Sequence, residues 1–404
     1  MADPAREEDF DALAPETFDS PYETYRRLRA ECPVAYSRAW NGFWSLTRYA
    51  DVTAALADPD FITSVQNVVP KLAFTGRRPP LHLDPPEHTP YRRALNPLFR
   101  PQRIAALEAP TRAYARQLLA AMAAKGGGDV CGEFSSHLPV QVFGEWMNLP
   151  AELREVLRAA GREFNIAVQS ADDEAVKRTS LALYEMARAV IAERRSRPLD
   201  PREDPTSALL AARADGEPLP DDMIVGTVRQ VLVVGIIAPT VLIGSIAVHL
   251  CRHPDLQTRL RAEPELVPAA VEEFLRLYTP YRGFARTTRR DVEISGRRIL
   301  CGEPIALVYA SANRDEAVFE DAEGFVLHRP NIQEHLAFGR GPHQCPGMPL
   351  ARLELRVALE ELLAATPGGF TLAGEIKPTR CPEIGALSVP LSFGAAGDHQ
   401  GGTP

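Results

Sequence analysis

The run Phe338-Gly339-Arg340-Gly341-Pro342-His343-Gln344-Cys345-Pro346-Gly347 holds the clearest chemistry in the chain. It puts one cysteine in a glycine-rich loop, which the apolar spacing beyond it predicts to enter a helix from Met348 to about Leu363. Glycine has no Cβ, so such a backbone can approach a large planar ligand closely. The N-terminus of the following helix carries partial positive charge, which lowers a nearby thiol's pKa and favours thiolate. A thiolate held this way is a strong axial donor to haem iron. Two other readings compete: a buried structural cysteine, or a zinc site shared by His343 and Cys345. Zinc needs about four closely organised ligands. The sequence has no CxxC, and its HxxxH, His249 to His253, ends a long apolar run with no evident link to Cys345.

Other pairs have spacings that matter. Glu273 and Arg276 are three apart and share a helix face, so carboxylate and guanidinium can pair. His88 and Arg92, four apart, face the same way at the start of a predicted helix.

The loop around Cys345 fills every fixed position of Phe-Gly-x-Gly-x-His-x-Cys-x-Gly. It resembles the haem-binding signature of the cytochrome P-450 family, and the chain is most similar to soluble bacterial members from about Asp19 to Phe393. The resemblance implies a mainly α fold with a small β region, residues 1–404 forming one large unit around the haem, with residues 1–17 and 394–404 as disordered tails. It implies Cys345 as the iron ligand, Phe338 and Gly347 beside the haem, and His88, Arg92, Arg286 and His343 as partners of the haem carboxylates. Burying those carboxylates demands charge-assisted hydrogen bonds. Glu273, Arg276 and Arg329 match the family's structural ion cluster, and Ala312-Asn313-Arg314-Asp315 fits its scaffold pattern.

One departure stands out. The family's central helix usually reads Gly-x-Asp/Glu-Thr, and the acid and alcohol relay protons during oxygen activation. Here the matching stretch is Gly235-Ile236-Ile237-Ala238, followed by Pro239 and Thr240. Isoleucine and alanine cannot relay a proton. Proline lacks an N–H and clashes with the carbonyl four residues back, which predicts a kink that frees the carbonyl of Gly235 to hold a water. Thr240 lies about 140° around the helix from Gly235 and serves only if the register slips. Ordered water or a substrate hydroxyl is the expected substitute.

The resemblance therefore implies a haem-thiolate monooxygenase, with Cys345, Gly235, Ala238 and Pro239 at the reacting centre. Haem b is the cofactor, O2 the co-substrate, and NAD(P)H the indirect electron source. Electrons arrive through a ferredoxin and its reductase, or a fused reductase absent from this chain. The alternatives are a peroxide-driven or non-hydroxylating oxidase (coupling or desaturation), which the missing acid and alcohol favour, and a non-catalytic haem sensor. Family positions place a small organic substrate against loop 62–79, region 164–176, residues 234–238, 281–285 and turn 383–387. These hold Val68, Val69, Leu72, Phe74, Phe164, Ile166, Val234, Ile237, Phe284 and Ile384, so the pocket is expected to be mostly apolar. Arg78 and Gln169 are candidates for reading a polar group or for solvated side chains.

Helical periodicity covers 20–31, 49–57, 103–124, 152–164, 174–197, 222–252, 264–277 and 348–365. Alternation predicts strands at 43–47, 292–294, 305–309 and 387–391. The uncharged run 231–250 has the length of a membrane span, but its glycines, proline and His249 favour a buried core helix. The polar, acidic first thirty residues carry neither a signal peptide nor an anchor pattern. With six scattered cysteines they point to a reducing cytoplasm and no membrane. A net charge of -8 argues against nucleic acid. Arg92, Arg93, Arg100, Arg103, Arg112 and Arg116, with Arg340, Arg352 and Arg356, have two readings: a docking face for an acidic electron donor, or solvated helix faces with haem-carboxylate partners.

Overall fold

The computed structural model describes residues 6–73, 75–379 and 382–394. Long helices carry the molecule, chiefly Glu108–Ala123, Ala151–Gln169, Asp173–Ser196, Asp221–Val234, Ile237–Arg252, Val267–Leu277 and Met348–Ala365. Local sequence explains their ends. The side chain of Asp172 accepts from Ala175 N, satisfying a free donor at the start of Asp173–Ser196. Arg194 and Arg195 occupy its last turn, where cations suit the helix dipole. Val176, Leu183, Ala187, Val190 and Ile191 form its buried stripe.

A five-stranded sheet runs in the order Val34–Ser37, Phe43–Leu46, Pro304–Leu307, Phe284–Thr288, Phe61–Ile62. Pro304–Leu307 pairs parallel with Phe43–Leu46, with Ile305 opposite Trp44, and antiparallel with Phe284–Thr288, with Ile305 opposite Arg286. That register fixes Arg286 on a central strand. Phe370–Leu372, Pro390–Phe393 and Gly127–Asp129 form a smaller sheet. The main core lies between the helices, and a second packs under the larger sheet.

The segment Asp221–Arg252 is long and apolar enough to cross a membrane, yet it runs through the core, with Val228, Leu232, Leu242, Ile246 and Leu250 at most 3% exposed. The N-terminal expectation is corrected from residue 6 onward. Phe10 is buried edge-on against Phe43, and Asp9 pairs with Arg297 at 2.9 Å. An aromatic anchor and an ion pair hold this segment, which the polar composition around them had masked. Residues 1–5 and 395–404 lie outside the described residues.

Candidate active site

The cysteine loop is closed by Cys345 N donating to Phe338 O at 2.9 Å and Gln344 N to Gly341 O at 3.0 Å. Gly339 and Gly341 have φ of 65° and 71°, a left-handed conformation that glycine adopts without strain. The turn itself thus requires these glycines. The loop delivers Cys345 to the N-terminus of Met348–Ala365. There the N–H groups of Gly347 and Met348, with Arg92 and Arg352, pull its pKa down, but burial is the larger effect and the thiol is pushed up. The helix terminus alone therefore does not produce the thiolate that the spacing suggested; a metal ion at the sulfur would have to draw it out.

Behind the loop, Glu273 accepts from Arg276 Nη2 at 2.7 Å and Arg329 Nη2 at 3.0 Å, all three at most 4% exposed. Burial raises the carboxyl's pKa, but the two guanidinium groups outweigh it and hold Glu273 below its ordinary value. Arg276 also donates to the carbonyls of Asn313, Ala322 and Gly324 at 2.9, 2.6 and 2.7 Å. Asn313 Oδ1 in turn accepts from Leu336 N at 2.6 Å, just before Phe338. The cluster is thereby tied to the chain that enters the cysteine loop.

A cavity of about 370 Å³ brings together Cys345, Phe338, His343, Gly347, Arg92 and Arg286 with Gly235, Ile237, Ala238 and Pro239. Among the described residues no carboxylate pairs with Arg92 or Arg286; Arg286 Nη1 donates to Ala285 O at 2.9 Å. A sulfur donor, a largely apolar lining and two cations without partner acids fit a planar metal cofactor bearing carboxylates, such as haem. His343 Nε2 lies 3.5 Å from Asp84 Oδ1. Burial opposes ionisation of Asp84, but hydrogen bonds from His343, Thr63 and Ser64 win and lower its pKa. His88 stands one layer back. It lies outside the cavity lining, donates from Nε2 to Pro342 O at 3.2 Å, and packs 5.2 Å from the His343 ring. It braces the cysteine loop from behind.

The central helix breaks at Gly235 and Ile236, between Asp221–Val234 and Ile237–Arg252. Pro239 offers no N–H to the Gly235 carbonyl, and a Cβ on Gly235 would collide with the Phe143 ring. The kink forms as the sequence predicts. The register does not slip: Thr240 Oγ1 is 2.7 Å from Ser135 O and 2.8 Å from Ile236 O, tied away from the cavity.

Leu72, Val234, Ile237, Phe284, Val68 and Phe164 line the cavity. Val69 does not; it lines a separate small cavity with Phe10, Trp40 and Phe43. Ile384 also does not; it is 5% exposed, and its N–H donates to Pro280 O at 3.0 Å. In both places it is the preceding residue, Val68 and Glu383, that lines the cavity. Ile166 is 54% exposed and stands outside it. Phe74 falls outside the described residues. Glu383 was missed. Its Oε2 accepts from Gln169 Nε2 at 2.7 Å, and burial pushes its pKa up to about 7. Arg229 and Gln230 also line the cavity and were missed; Asn165 lines it from within the expected region 164–176. For Arg229 a signal existed, since it shares a helix face with Val225 and Val228 at apolar spacing.

The arginine-rich segment is largely neutralised. Arg112 pairs with Glu108, Glu360 and Glu361, Arg116 with Glu361, Arg356 with Glu108, and Arg352 with Glu272. Arg100 and Arg103 both reach Glu203, and Arg340 reaches Glu334. These pairs remove most of the positive face that the arginines alone suggested. Cys32, Cys131, Cys251, Cys301 and Cys345 are free, and no group of three metal-ligating side chains exists among the described residues.

The family model for cytochrome P-450 matches residues 164–365. Cyclomarin C epoxidase CymV of Salinispora arenicola is 34% identical, over 83% of this chain and 86% of that protein. Cytochrome P-450 107B1 of Saccharopolyspora erythraea is also 34% identical, over 86% and 87%. A solved cytochrome P-450 from Chondromyces apiculatus superposes with a TM-score of 0.85 at 31% identity, covering 96% of this chain and 98% of its own.

Proposed function

The chain belongs to the cytochrome P-450 family and is a haem monooxygenase, and from that premise we propose that it inserts one atom of O2 into a small, largely apolar organic substrate by hydroxylation or dealkylation. The relative named for epoxidising cyclomarin C adds epoxidation to the reactions open to it. One observation carries the reading: Cys345 and the broken helix at Gly235 share a single largely apolar cavity that also holds Arg92 and Arg286, which pair with no acid among the described residues.

In this reading residues 1–404 form one unit around haem b. Cys345 ligates the iron, Arg92, Arg286 and His343 meet the carboxylates, and Phe338 and Gly347 pack beside the ring. When bound, the haem supplies reductive activation of O2, with the thiolate donating electron density. Electrons come from NAD(P)H through a ferredoxin and its reductase, or through a fused reductase, in the cytoplasm. Leu72, Phe164, Val234, Ile237 and Phe284 exclude water and hold the apolar body of the substrate. Ile237 and Ala238 have no proton to give, so protons pass through water held at the Gly235 carbonyl, or through a hydroxyl of the substrate. A second reading is favoured by that gap and by the tethering of Thr240: hydrogen peroxide, carrying its own protons, supplies the oxygen.

The test is spectroscopic, then chemical. The reduced protein with carbon monoxide should give the red-shifted Soret band of a thiolate-ligated haem, and Cys345→Ala should abolish it. Retention of that band in the alanine variant would overturn the assignment. Product formed only with reductant and O2 supports the first reading; product formed as readily with peroxide alone supports the second.

A further inference from the structure

Four polar side chains meet in a wall of the cavity that the haem assignment does not use. Arg229 lies nearly two turns, about 9 Å, before Gly235 along the central helix. It is fully buried. Its Nη2 donates to Ser180 Oγ at 2.9 Å, and its guanidinium lies 4.8 Å from the centre of the Phe164 ring. Among the described residues its Nε and Nη1 have no partner. Burial pushes its pKa down to about 9, so it remains charged at neutral pH. Asn165 Nδ2 and Gln230 Oε1, in the same lining, also lack partners among the described residues.

A second cation joins them from a distant part of the chain. Gly226 has no Cβ to collide with the carbonyl of Arg77, so the segment carrying Arg78 crosses directly over the central helix. Arg78 lines the cavity, with Nη2 3.0 Å from His82 Nε2. Burial, then the nearby Arg78 and Arg229, drive the pKa of His82 down to about 3, so it stays neutral and accepts that bond. Among the described residues no carboxylate pairs with Arg78 or Arg229. Two like charges side by side, with buried N–H groups left over, are costly unless something negative completes them.

We propose that Arg229 and Arg78 form an anion subsite, and that the substrate is a carboxylic acid whose carboxylate binds there while its apolar body runs past Phe164, Val234 and Ile237 toward Ala238. Asn165 Nδ2 supplies a further donor, and Arg229 keeps free N–H groups at Nε and Nη1, on opposite edges of its guanidinium, either of which can donate to a carboxylate oxygen. The inference rests on the monooxygenase reading and narrows its substrate class.

The test uses the haem-loaded protein and three matched pairs: dodecanoate, 4-phenylbutanoate and biphenyl-4-carboxylate, each beside its methyl ester. The substrate-induced shift of the ferric Soret band reads binding. At least one acid should bind about tenfold to a hundredfold more tightly than its ester, the span expected for hydrogen bonds to a charged group. Arg229→Gln and Arg78→Gln should each move that ratio toward one. The reduced carbon monoxide band checks that each variant holds haem. Arg78 sits outside the helices, so its variant carries the test if Arg229→Gln fails to fold. Esters binding as tightly as acids, no acid shifting the band, or a ratio that survives substitution would each overturn the subsite. A wild-type preparation without the thiolate band would instead remove the parent reading.

Discussion

Two sets of buried or half-buried arginines in this molecule are treated in opposite ways. Arg276 and Arg329 share the carboxylate of Glu273 and donate to several main-chain carbonyls, so the chain itself closes the charge balance. Arg92, Arg286, Arg78 and Arg229 line the cavity, and no described acid answers them. The residue type is the same, and Arg276, Arg329, Arg286 and Arg229 are buried while Arg92 and Arg78 are half-buried. Stripping a guanidinium of water costs several kcal/mol, which a paired group recovers and an unpaired one does not. A chain that matches its charges so carefully behind the cysteine loop leaves them open in the cavity because their counter-charges arrive with ligands: haem carboxylates at Arg92 and Arg286, and the substrate at Arg78 and Arg229.

The strongest way to break this contrast is Arg276→Met. It removes one partner of a buried cluster and leaves the Asn313, Ala322 and Gly324 carbonyls short of donors. The expected loss is about 3–5 kcal/mol, measured as a lower denaturant midpoint, together with reduced haem content because Asn313 anchors Leu336 ahead of the cysteine loop. A loss below about 1 kcal/mol, the scale of exposed ion pairs, would place the cluster with surface charges.

What was legible in the sequence divides along the same line. Fixed spacing exposed the cysteine loop and the Glu273–Arg276 pair, because both depend on neighbours within a few residues. Helical periodicity located Tyr49–Ala57 and Met348–Ala365 to the residue. Strands Val34–Ser37 and Phe284–Thr288 went unseen, since they are short and take their order from partners far along the chain. The anion subsite was illegible for a related reason: Arg229 was one charge beside an apolar run, and nothing local says that Arg78 crosses above it. The arginines near Arg112 misled because Glu360 and Glu361, which neutralise them, come from a helix more than two hundred residues away.

The acids repeat the contrast and sharpen it through pH. Glu273 is held low by two cations that outweigh burial, whereas Glu383, in the cavity wall, is pushed up from 4.5 to about 7 by burial. Between those values the folded protein keeps a proton on Glu383 that the unfolded chain has released. Its contribution to stability is therefore present below about pH 4.5 and lost as pH rises through about 7, a fall of about 3 kcal/mol. Glu273 has the opposite sign: its contribution is present above the ordinary glutamate value and lost as pH falls through its lower folded value. Thermal midpoints from pH 5 to 7.5 should decline less in Glu383→Gln than in the parent. Parallel curves would mean that Glu383 titrates normally.

The smallest expected effect is also the most discriminating, because its sign reverses with the ligand. Arg92 is half-buried, burial lowers its pKa, and the group whose charge bears on it is the thiol of Cys345. Arg92→Met keeps the stem's apolar contacts and removes a cation that the haem-free protein does not match. The haem-free variant should therefore be as stable as the parent or more so, by about 1 kcal/mol, as when buried charges give way to apolar groups. With haem bound, the same change removes charge-assisted hydrogen bonds to a haem carboxylate, so transfer of haem to an excess of a competing haem-binding protein should be faster. Destabilisation in both forms would mean that Arg92 belongs with Arg276, as scaffold, and the division between closed and open charge would fail at Arg92.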